Sequence, residues 1–332
     1  MNRLFDPLSI RSLTVPNRLV LPPMRSGKAA SNGDVTNELI EHYRSRSDGP
    51  GLVIVEHAYI LDEGKSLTQL GISRDTHVAG LSKLSNAIHS QGAAAVIQMN
   101  HVGSMASRNV IGSQPRGPSA IINPRNRDHE VPKALTKAEI EEIIHAFAQA
   151  ATRASEAGFD GVEVHCSHGY LNSQFMSPLT NQRHDEYGGA PENRVKIAAQ
   201  SVHAIRRVVD NEYPIFCRFG ARDYMPGGLE LPESTIMANV LVKAGVDVLD
   251  VSGGLCGIEP PGEKEQGFFI PEAEALKQAI GAIVVGVGGI IEPHFADEAI
   301  RKNRVDLVAV GRAMLNDGSW CKKALQATRG ES

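Results

Sequence analysis

The stretch of sequence that decides the fold is residues 161–194, GVEVHCSHGYLNSQFMSPLTNQRHDEYGGAPENR. Its start predicts a β-strand, since Val162 and Val164 alternate with polar residues. Its end predicts the beginning of a helix at Pro191, because a proline in the first turn lacks only an N–H that would have no helical partner. The stretch therefore reads as strand, long loop and helix, the order of one β/α unit.

Two histidines and a tyrosine, His165, His168 and Tyr170, follow at the carboxyl end of this strand. Neutral imidazoles can donate hydrogen bonds to one substrate oxygen, and a nearby phenol can deliver a proton. Each histidine could instead be structural, and the His-x-x-His spacing could hold zinc, although two ligands are too few and no further ligand spacing is visible. The cluster favours an active site.

The second half of the stretch carries charges of both signs. Arg183 and Arg194 stand there with Asp185 and Glu186. Opposite charges at such short spacing favour an ion-pair network that orders the loop over a direct part in chemistry.

Apolar, β-branched runs recur along the chain, and helical patterns separate them. The eight runs are residues 19–21, 52–55, 93–97, 162–164, 215–219, 246–251, 283–287 and 305–310. Near-continuous apolar strands are typical of a parallel sheet covered on both faces. Eight β/α units without a linker predict an α/β fold, a TIM (β/α)8 barrel that forms a single domain over residues 1–332. A doubly wound fold is the alternative, but no third glycine completes a G-x-G-x-x-G pattern after Gly286 and Gly288.

Helices and loops fit the same scheme. The clearest helix begins at the capping box of Thr136 and Glu139 and ends at Gly158. Further helices are predicted over residues 75–92, 233–244 and 292–303. Long loops follow strands three, four and six, at residues 100–135, 166–190 and 253–271, on the face where barrels hold their chemistry. Residues 4–16 are expected to form an N-terminal hairpin that closes the bottom of the barrel.

Composition argues against several classes of protein. The net charge of −4 argues against nucleic acid as a partner, because nucleic-acid-binding proteins carry basic faces. No apolar run reaches the roughly 18 residues of a membrane span, and no secretory apolar core is visible. The four cysteines, Cys166, Cys217, Cys256 and Cys321, form no C-x-x-C pair, which excludes an iron–sulfur motif of the usual spacing and predicts a reducing, cytoplasmic location. No metal site is predicted, and a homo-oligomer stays open.

The predicted strand ends carry a second group of candidates. Gly288 and Gly289 follow the seventh strand, and Gly311 and Arg312 follow the eighth. Barrels commonly bind phosphate at this place through backbone N–H groups, and an arginine adds a bidentate partner. Glycines here could also serve turn geometry alone, but with the adjacent arginine the pattern favours phosphate.

The run HCSHGYLNSQFMSPLTNQRHDEYGGAPENR resembles the signature of the Old Yellow Enzyme family of flavin-dependent ene-reductases. Within that family the chain is similar to the compact bacterial type related to the N-terminal barrel of 2,4-dienoyl-CoA reductases. The resemblance extends from the LFDPL run at residues 4–8 to Gly311 and Arg312. It implies an enzyme with FMN as cofactor, NADH or NADPH as hydride donor and a small activated alkene as substrate.

The resemblance also implies roles for residues at the strand ends. Gln98 would bond the pyrimidine ring of FMN, or could be a polar residue of the barrel core, and Arg218 would lie against the N1–C2 carbonyl edge of the flavin. The other expected contacts to the cofactor are Pro22, Pro23, Met24, Arg25, His57, Gly288, Gly289, Gly311 and Arg312. His165 and His168 would bind the carbonyl or nitro oxygen of an alkene whose β-carbon accepts hydride. Tyr170 would protonate the α-carbon.

Three positions depart from the family pattern. Arg25 stands where relatives have Thr or Cys near the flavin, and residues 26–28 lack a tyrosine that lines the pocket in some relatives. His57 replaces a small residue. These departures concern the range of substrates rather than the fold or the cofactor.

Other functions stay open at this level. A flavin barrel could catalyse amine demethylation, amine dehydrogenation or dihydroorotate oxidation, or could carry flavin without turnover. A phosphate-binding isomerase barrel would share the glycines and purify colourless. Product analysis, turnover with NAD(P)H and an enone, and the visible spectrum distinguish these alternatives.

Overall fold

The chain folds into a closed barrel of eight parallel strands surrounded by helices. A computed structural model describes residues 3–262 and 264–329. The strands are Leu8–Ile10 (β1), Leu13–Val15 (β2), Leu19–Leu21 (β3), Leu52–Tyr59 (β4), Ala94–Asn100 (β5), Arg116–Gly117 (β6), Lys133–Ala134 (β7), Gly161–Cys166 (β8), Ile215–Arg222 (β9), Val248–Gly253 (β10), Ile283–Gly286 (β11) and Leu307–Ala309 (β12).

The helices follow the strands in alternation for most of the chain. They are Asn37–Arg44 (α1), Val78–His89 (α2), Arg108–Ile111 (α3), Lys137–Glu156 (α4), Leu171–Met176 (α5), Pro191–Arg194 (α6), Lys196–Arg206 (α7), Leu231–Ala244 (α8), Ile270–Ile280 (α9), Pro293–Arg301 (α10), Arg312–Asn316 (α11) and Trp320–Arg329 (α12). Short 3-10 helices cover Asp62–Gly64, Asp75–His77 and Gly103–Met105.

The barrel strands occur in the order β10, β11, β12, β3, β4, β5, β8, β9 around the ring. β12 and β3 are parallel neighbours, with Val308 opposite Leu19, and they join the last strand of the chain to the first strand of the barrel. The predicted TIM barrel is confirmed, and each of the eight predicted apolar runs overlaps one barrel strand. β4, β5 and β9 extend three or four residues beyond the predicted carboxyl ends, which brings more side chains to the top of the barrel.

An N-terminal hairpin closes the bottom of the barrel, as predicted. β1 and β2 pair antiparallel, with Ile10 opposite Leu13. Ile10 and Val15 are buried in one apolar cluster with inward residues of the barrel strands, among them Phe216 and Val248. Removal of this apolar surface from water holds the hairpin against the barrel.

Helix α4 begins and ends where the sequence predicts. Thr136 Oγ1 accepts a hydrogen bond from Glu139 N at 3.3 Å, and the Glu139 carboxylate accepts one from Thr136 N at 2.7 Å. This reciprocal capping box satisfies two backbone donors that have no helical partner. Gly158 follows the helix with a φ of +80°, a left-handed conformation that glycine adopts without a steric cost.

The charged residues of the 161–194 stretch form ion pairs, as interpreted from the sequence. Arg183 binds Asp185 at 2.6 Å, and Arg194 binds Glu233 of α8 at 2.5 Å. Glu186 likewise pairs with a lysine of α4. The network ties the loop to two surrounding helices as well as to itself.

The domain prediction covers residues 1–332 and stays a prediction, and residues 1, 2, 263 and 330–332 lie outside the described part of the chain. Within that part, none of the helices combines the length and the apolar character needed to cross a membrane.

Replacing Ile10 with alanine is expected to lower the free energy of unfolding by about 2–5 kcal/mol, because it removes buried aliphatic volume from the bottom of the barrel. Thr14→Ala, at an exposed position of the same hairpin, is the control and is expected to change stability by no more than about 0.5 kcal/mol. Urea unfolding of both variants measures the difference. Two equally small changes would show that the hairpin adds nothing to stability.

Candidate active site

A β-bulge in β4 decides which side chains face the top of the barrel. The pairing of β4 with β5 shifts by one residue between Val55 and Ala58, so that Glu56 and His57 together oppose Gln98. By simple alternation His57 would share the outward face of Val55. The extra residue turns His57 to the inside.

Four rings meet at this end of the barrel, and we call His57, His165, His168 and Tyr170 the aromatic cluster. Tyr170 stacks on His57, with ring centroids 5.2 Å apart and planes 27° from parallel. The ring of His165 lies edge-on to that of Tyr170 at 5.0 Å and to that of His168 at 5.1 Å. The fold thus brings together the three residues predicted as catalytic and adds a fourth.

His57 is held as a neutral ring with a defined tautomer. Its Nδ1 lies 2.9 Å from the side-chain amide nitrogen of Gln69 and 3.0 Å from that of Asn100. Amide nitrogens only donate, so Nδ1 accepts and Nε2 carries the proton. Burial, and then the positive charge of Arg25, lowers the pKa of His57 to about 4.

His165 and His168 are also neutral. Burial is the main cause that lowers the pKa of each well below its usual range, followed by His168 for His165 and by Arg218 for His168. The Ser167 N–H donates to His165 Nδ1 at 3.3 Å, which leaves the His165 proton on Nε2. Each ring can therefore donate one N–H without bringing a positive charge into the site.

His168 is positioned by its backbone and by Ser252. Its φ of +60° lies in the left-handed region that few residues other than glycine adopt. Its Nε2 lies 2.8 Å from Ser252 Oγ, and Arg218 Nη2 donates to the same oxygen at 3.4 Å. Ser252 can give its own proton to His168 Nε2, which leaves the N–H of His168 on Nδ1.

Tyr170 carries an available proton. Burial raises the pKa of the phenol above its usual value, although the charges of Arg125 and Arg25 oppose the shift. The hydroxyl makes no hydrogen bond within the described residues. The phenol therefore stays protonated at neutral pH and is free to donate.

A cavity of about 650 Å³ adjoins the aromatic cluster through His168. Its wall includes most of the residues expected to contact FMN, namely Pro22, Pro23, Met24, Arg218, Gly288, Gly289, Gly311 and Arg312. Three expected residues, Arg25, His57 and Gln98, are not among the residues that line it in the described chain.

The cavity wall fits FMN. Arg218 Nε is buried without a partner in the described residues, which leaves a donor for a flavin carbonyl. Gly288 and Gly289 have φ of +137° and +61°, and a Cβ at Gly288 would lie 2.5 Å from the Phe268 backbone nitrogen, so the turn itself requires glycine there whether or not phosphate binds. Arg312 is exposed and pairs with Glu259 at 2.6 Å, so its contact with phosphate stays a prediction.

Two expected residues make contacts other than those implied by the resemblance. Arg25 is exposed. Its Nη2 donates to Thr68 Oγ1 at 3.3 Å and to the backbone carbonyl oxygen of Leu67, so residues 67 and 68 hold its side chain. Gln98 Nε2 donates to Glu163 Oε2 at 2.6 Å inside the barrel. That contact fits the alternative of a polar core residue, and the roles of both residues toward FMN stay predictions.

Gln98 belongs to a buried polar layer that also contains a charged pair. Arg218 forms an ion pair with Asp250, and both Asp250 and Glu163 are fully buried. The charges of two carboxyl groups and one guanidinium cancel only if one carboxyl group keeps its proton. Burial, and then the charge of Asp250, raises the pKa of Glu163 well above its usual range, which makes Glu163 the neutral member.

Sequence reasoning missed several of these residues. Glu163 and Asp250 could have been found, because each is a carboxylic acid inside a predicted apolar strand. Gln69 lies on a loop without a pattern, and no local signal points to it. For the zinc alternative, no group of three or more His, Cys, Asp or Glu side chains suited to a metal ion occurs among the described residues.

Comparisons with known proteins agree with this geometry. A family model described as the NADH:flavin oxidoreductase / NADH oxidase family matches residues 3–330. The NADH oxidase of Thermoanaerobacter brockii is 40% identical over 336 residues, with 99% of this chain and 51% of that protein covered, so the chain spans about half the length of that relative. The NADPH dehydrogenase of Geobacillus sp. (strain WCH70) is 38% identical over 320 residues, with 96% and 92% covered. The solved structure of the old yellow enzyme homologue from Zymomonas mobilis superposes with a TM-score of 0.86 at 26% identity, covering 98% of this chain and 93% of that one.

Glu163→Gln is expected to become more stable relative to the wild type as pH rises. The buried acid of the wild type keeps its proton above the pH at which the unfolded chain loses it, so the free energy of unfolding falls by about 1.4 kcal/mol per pH unit from roughly pH 4.5 upward. The amide of the variant has no proton to lose and lacks this slope. Urea unfolding between pH 5 and 8 measures it.

The exposed substitution Glu142→Gln is the control, and its curve is expected to run parallel to that of the wild type. A parallel curve for Glu163→Gln as well would mean that Glu163 is ionised in the folded protein.

Proposed function

The chain belongs to the NADH:flavin oxidoreductase / NADH oxidase family, and on that premise we propose that it is an FMN-dependent enzyme. It would use NADH or NADPH to reduce the activated C=C bond of α,β-unsaturated carbonyl or nitro compounds. The observation that carries the proposal is the meeting of His165, His168 and Tyr170 beside one cavity. Bound FMN supplies the transfer of hydride from NAD(P)H to the alkene.

His165 and His168 would bind the substrate oxygen. Each is neutral and would present one N–H, at Nε2 of His165 and, when Ser252 donates to His168 Nε2, at Nδ1 of His168. Two donors aimed at one oxygen draw electron density from the conjugated double bond and stabilise the negative charge that develops there. Because the donors are fixed by Ser167 and Ser252, little reorganisation accompanies the reaction.

Tyr170 would protonate the α-carbon. Its hydroxyl has no competing partner in the described residues, and its raised pKa keeps the proton in place until negative charge develops on the substrate. The stack on His57 fixes the plane of the phenol. Tyr170 is thus a general acid held at a defined orientation.

The cofactor would be held from two groups of residues. Arg218, which Asp250 neutralises, would face the ring together with Pro22, Pro23 and Met24. The glycines after β11 and β12, with Arg312, would bind the phosphate. All four cysteines are free thiols, which supports the expected cytoplasmic location.

The purified protein is expected to be yellow and to release FMN on denaturation. Arg312→Ala is expected to weaken FMN binding about ten-fold or more, because it removes a charge-assisted contact worth roughly 1.5–3 kcal/mol. Arg108→Ala is the control, since Arg108 is exposed and pairs with Glu130 away from the cavity. Fluorescence titration with FMN gives the dissociation constants. A colourless protein that takes up no FMN would contradict the proposal.

Tyr170→Phe is expected to separate the two half-reactions. Reduction of the bound flavin by NADPH should stay within a few-fold of the wild type, while reduction of 2-cyclohexenone should slow by about 10²–10⁴, the usual contribution of a general acid. Stopped-flow absorbance measures both rates.

Tyr187→Phe is the matched control, because it removes a phenol that bonds Gln200 at 3.0 Å outside the aromatic cluster. It is expected to change neither rate. A Tyr170→Phe protein that reduces the enone at the wild-type rate would exclude Tyr170 as the acid.

A further inference from the structure

Two arginines beside the aromatic cluster have no acidic partner. Arg218 is neutralised by Asp250 and Arg312 is paired with Glu259. Arg25 and Arg125, in contrast, form no ion pair within the described residues. Their hydrogen bonds go to neutral oxygens instead. The charge of Arg25 also acts on the carboxyl group of Glu56, whose pKa is raised mainly by burial.

Arg125 is seated over the loop that carries His168. Its Nη1 donates to the backbone carbonyl oxygen of His168. A Cβ at Gly257 would lie 2.8 Å from Arg125 Cζ, and a Cβ at Gly169 would lie 3.5 Å from Arg125 Cδ. Asn123 donates to Gly169 O at 2.9 Å and ties the segment before Arg125 to the same loop. Gly257 thus leaves the room that the guanidinium occupies, while the 3.5 Å distance at Gly169 is an ordinary van der Waals contact.

Arg25 lies on the loop after β3 and is linked to the aromatic cluster through the 67–69 segment. It donates to Thr68 Oγ1 at 3.3 Å, and the next residue, Gln69, bonds the ring nitrogen of His57. His57 in turn stacks on Tyr170. Arg25 and Arg125 are therefore each connected to Tyr170 through a short chain of contacts, one through His57 and one through the His168 loop.

The electrostatics of the cluster agree with this placement. The positive charges of Arg25 and Arg125 both act to lower the pKa of Tyr170, against the effect of burial. The charged side chains of the described residues that act on the pKa of His57, His165 or His168 are arginines, and no carboxylate is among them. The substrate side of the site is therefore cationic.

We propose that the substrate is an activated alkene that bears a carboxylate close to the double bond, and that Arg25 and Arg125 bind this carboxylate. A guanidinium has five N–H donors, and the contacts to neutral oxygens leave several of them free on each side chain. A carboxylate matches the planar fork of a guanidinium and binds it through charge-assisted hydrogen bonds.

The position of the charges distinguishes a carboxylate on the alkene from a remote phosphate. Arg125 bonds the loop that carries His168 and Tyr170, and Arg25 bonds the segment whose next residue holds His57. Tyr170 would reach the α-carbon in the proposed function. The anion must then lie within a few bonds of the reacting carbon, whereas a phosphate at the end of a long carrier would lie far from it. The inference rests on the proposed function and narrows its substrate class.

A matched pair of substrates tests the inference. (E)-4-oxo-2-pentenoate and its amide have nearly the same size and the same ketone, and the amide activates the alkene more strongly than the carboxylate does. Intrinsic reactivity thus favours the amide, so a preference for the acid reports binding. The wild type is expected to show a kcat/KM at least about ten-fold higher for the acid, the factor that about 1.4 kcal/mol gives, mainly through KM.

Arg25→Gln and Arg125→Gln are each expected to lower this acid-to-amide ratio about ten-fold. Arg127→Gln is the control, because Arg127 is exposed on the same loop as Arg125 but does not act on the pKa of the cluster residues. An equal loss in Arg127→Gln would assign the effect to general surface charge and overturn the proposal.

Binding without turnover gives a second readout. Isothermal titration of the oxidised, FMN-loaded protein with 4-oxopentanoate and with 4-oxopentanamide is expected to show tighter binding of the acid, and a weaker preference in both variants. Equal binding of acid and amide by the wild type would overturn the proposal, even if a variant failed to fold. Inorganic phosphate that displaces 4-oxopentanoate at equal concentration would overturn it in favour of a phosphate-bearing ligand.

Turnover distinguishes a failure of this inference from a failure of the proposed function. If the enzyme reduces the amide and 2-cyclohexenone without a preference for the acid, the proposed function stands and only this inference fails. If the enzyme reduces no alkene, the proposed function itself fails.

Discussion

The ion pair between Arg218 and Asp250 is the interaction on which the site depends. A buried guanidinium is stable only when an opposite charge lies close to it. The register of β9 and β10 places Asp250 directly opposite Arg218. Arg218 then donates to Ser252, and Ser252 bonds His168. Because Asp250 already compensates the one positive charge, Glu163 is left neutral. The orientation of the His168 imidazole, which is proposed to bind the substrate oxygen, thus depends on the balance of charge in a buried layer of the barrel.

Two irregularities of the backbone do the remaining positioning. The bulge in β4 turns His57 into the barrel, and the left-handed conformation at His168 aims that ring at Ser252 rather than along the strand direction. A left-handed conformation at a residue other than glycine, such as His168, costs about 1–3 kcal/mol and persists only where surrounding contacts hold it. The His168 N–H donates to Gly253 O at 3.1 Å, and amides of Gln69 and Asn100 hold His57. Regular alternation in β4 alone would turn His57 away from the barrel interior.

The two sides of the site differ in how closely they follow the family. The cavity wall, with its glycines and Arg218, matches the expected cofactor contacts. Members that bind the same cofactor need the same kinds of contact to hold it. The departures, Arg25 and His57, lie on the side of Tyr170, where the substrate would bind. Hydrogen bonds to neutral groups hold both side chains in place, so their charge and shape remain available to a ligand. Differences among relatives are therefore expected in substrate range before cofactor or reaction type.

Local pattern in the sequence determined the barrel, because strands, helix caps and turns depend on residues within a few positions of one another. It also placed His165 and Tyr170 together, since five positions on one loop separate them. Only the tertiary structure decided that His57 faces inward, because alternation predicts the opposite and the bulge depends on pairing with β5. Only the tertiary structure brought Gln69 to His57, because a contact made by a loop residue produces no periodic pattern in the sequence. Only the tertiary structure decided the charge of Glu163. A carboxyl group keeps its proton at neutral pH only when burial and a neighbouring negative charge make ionisation too costly. Here that charge is Asp250, on a strand more than eighty residues later in the chain.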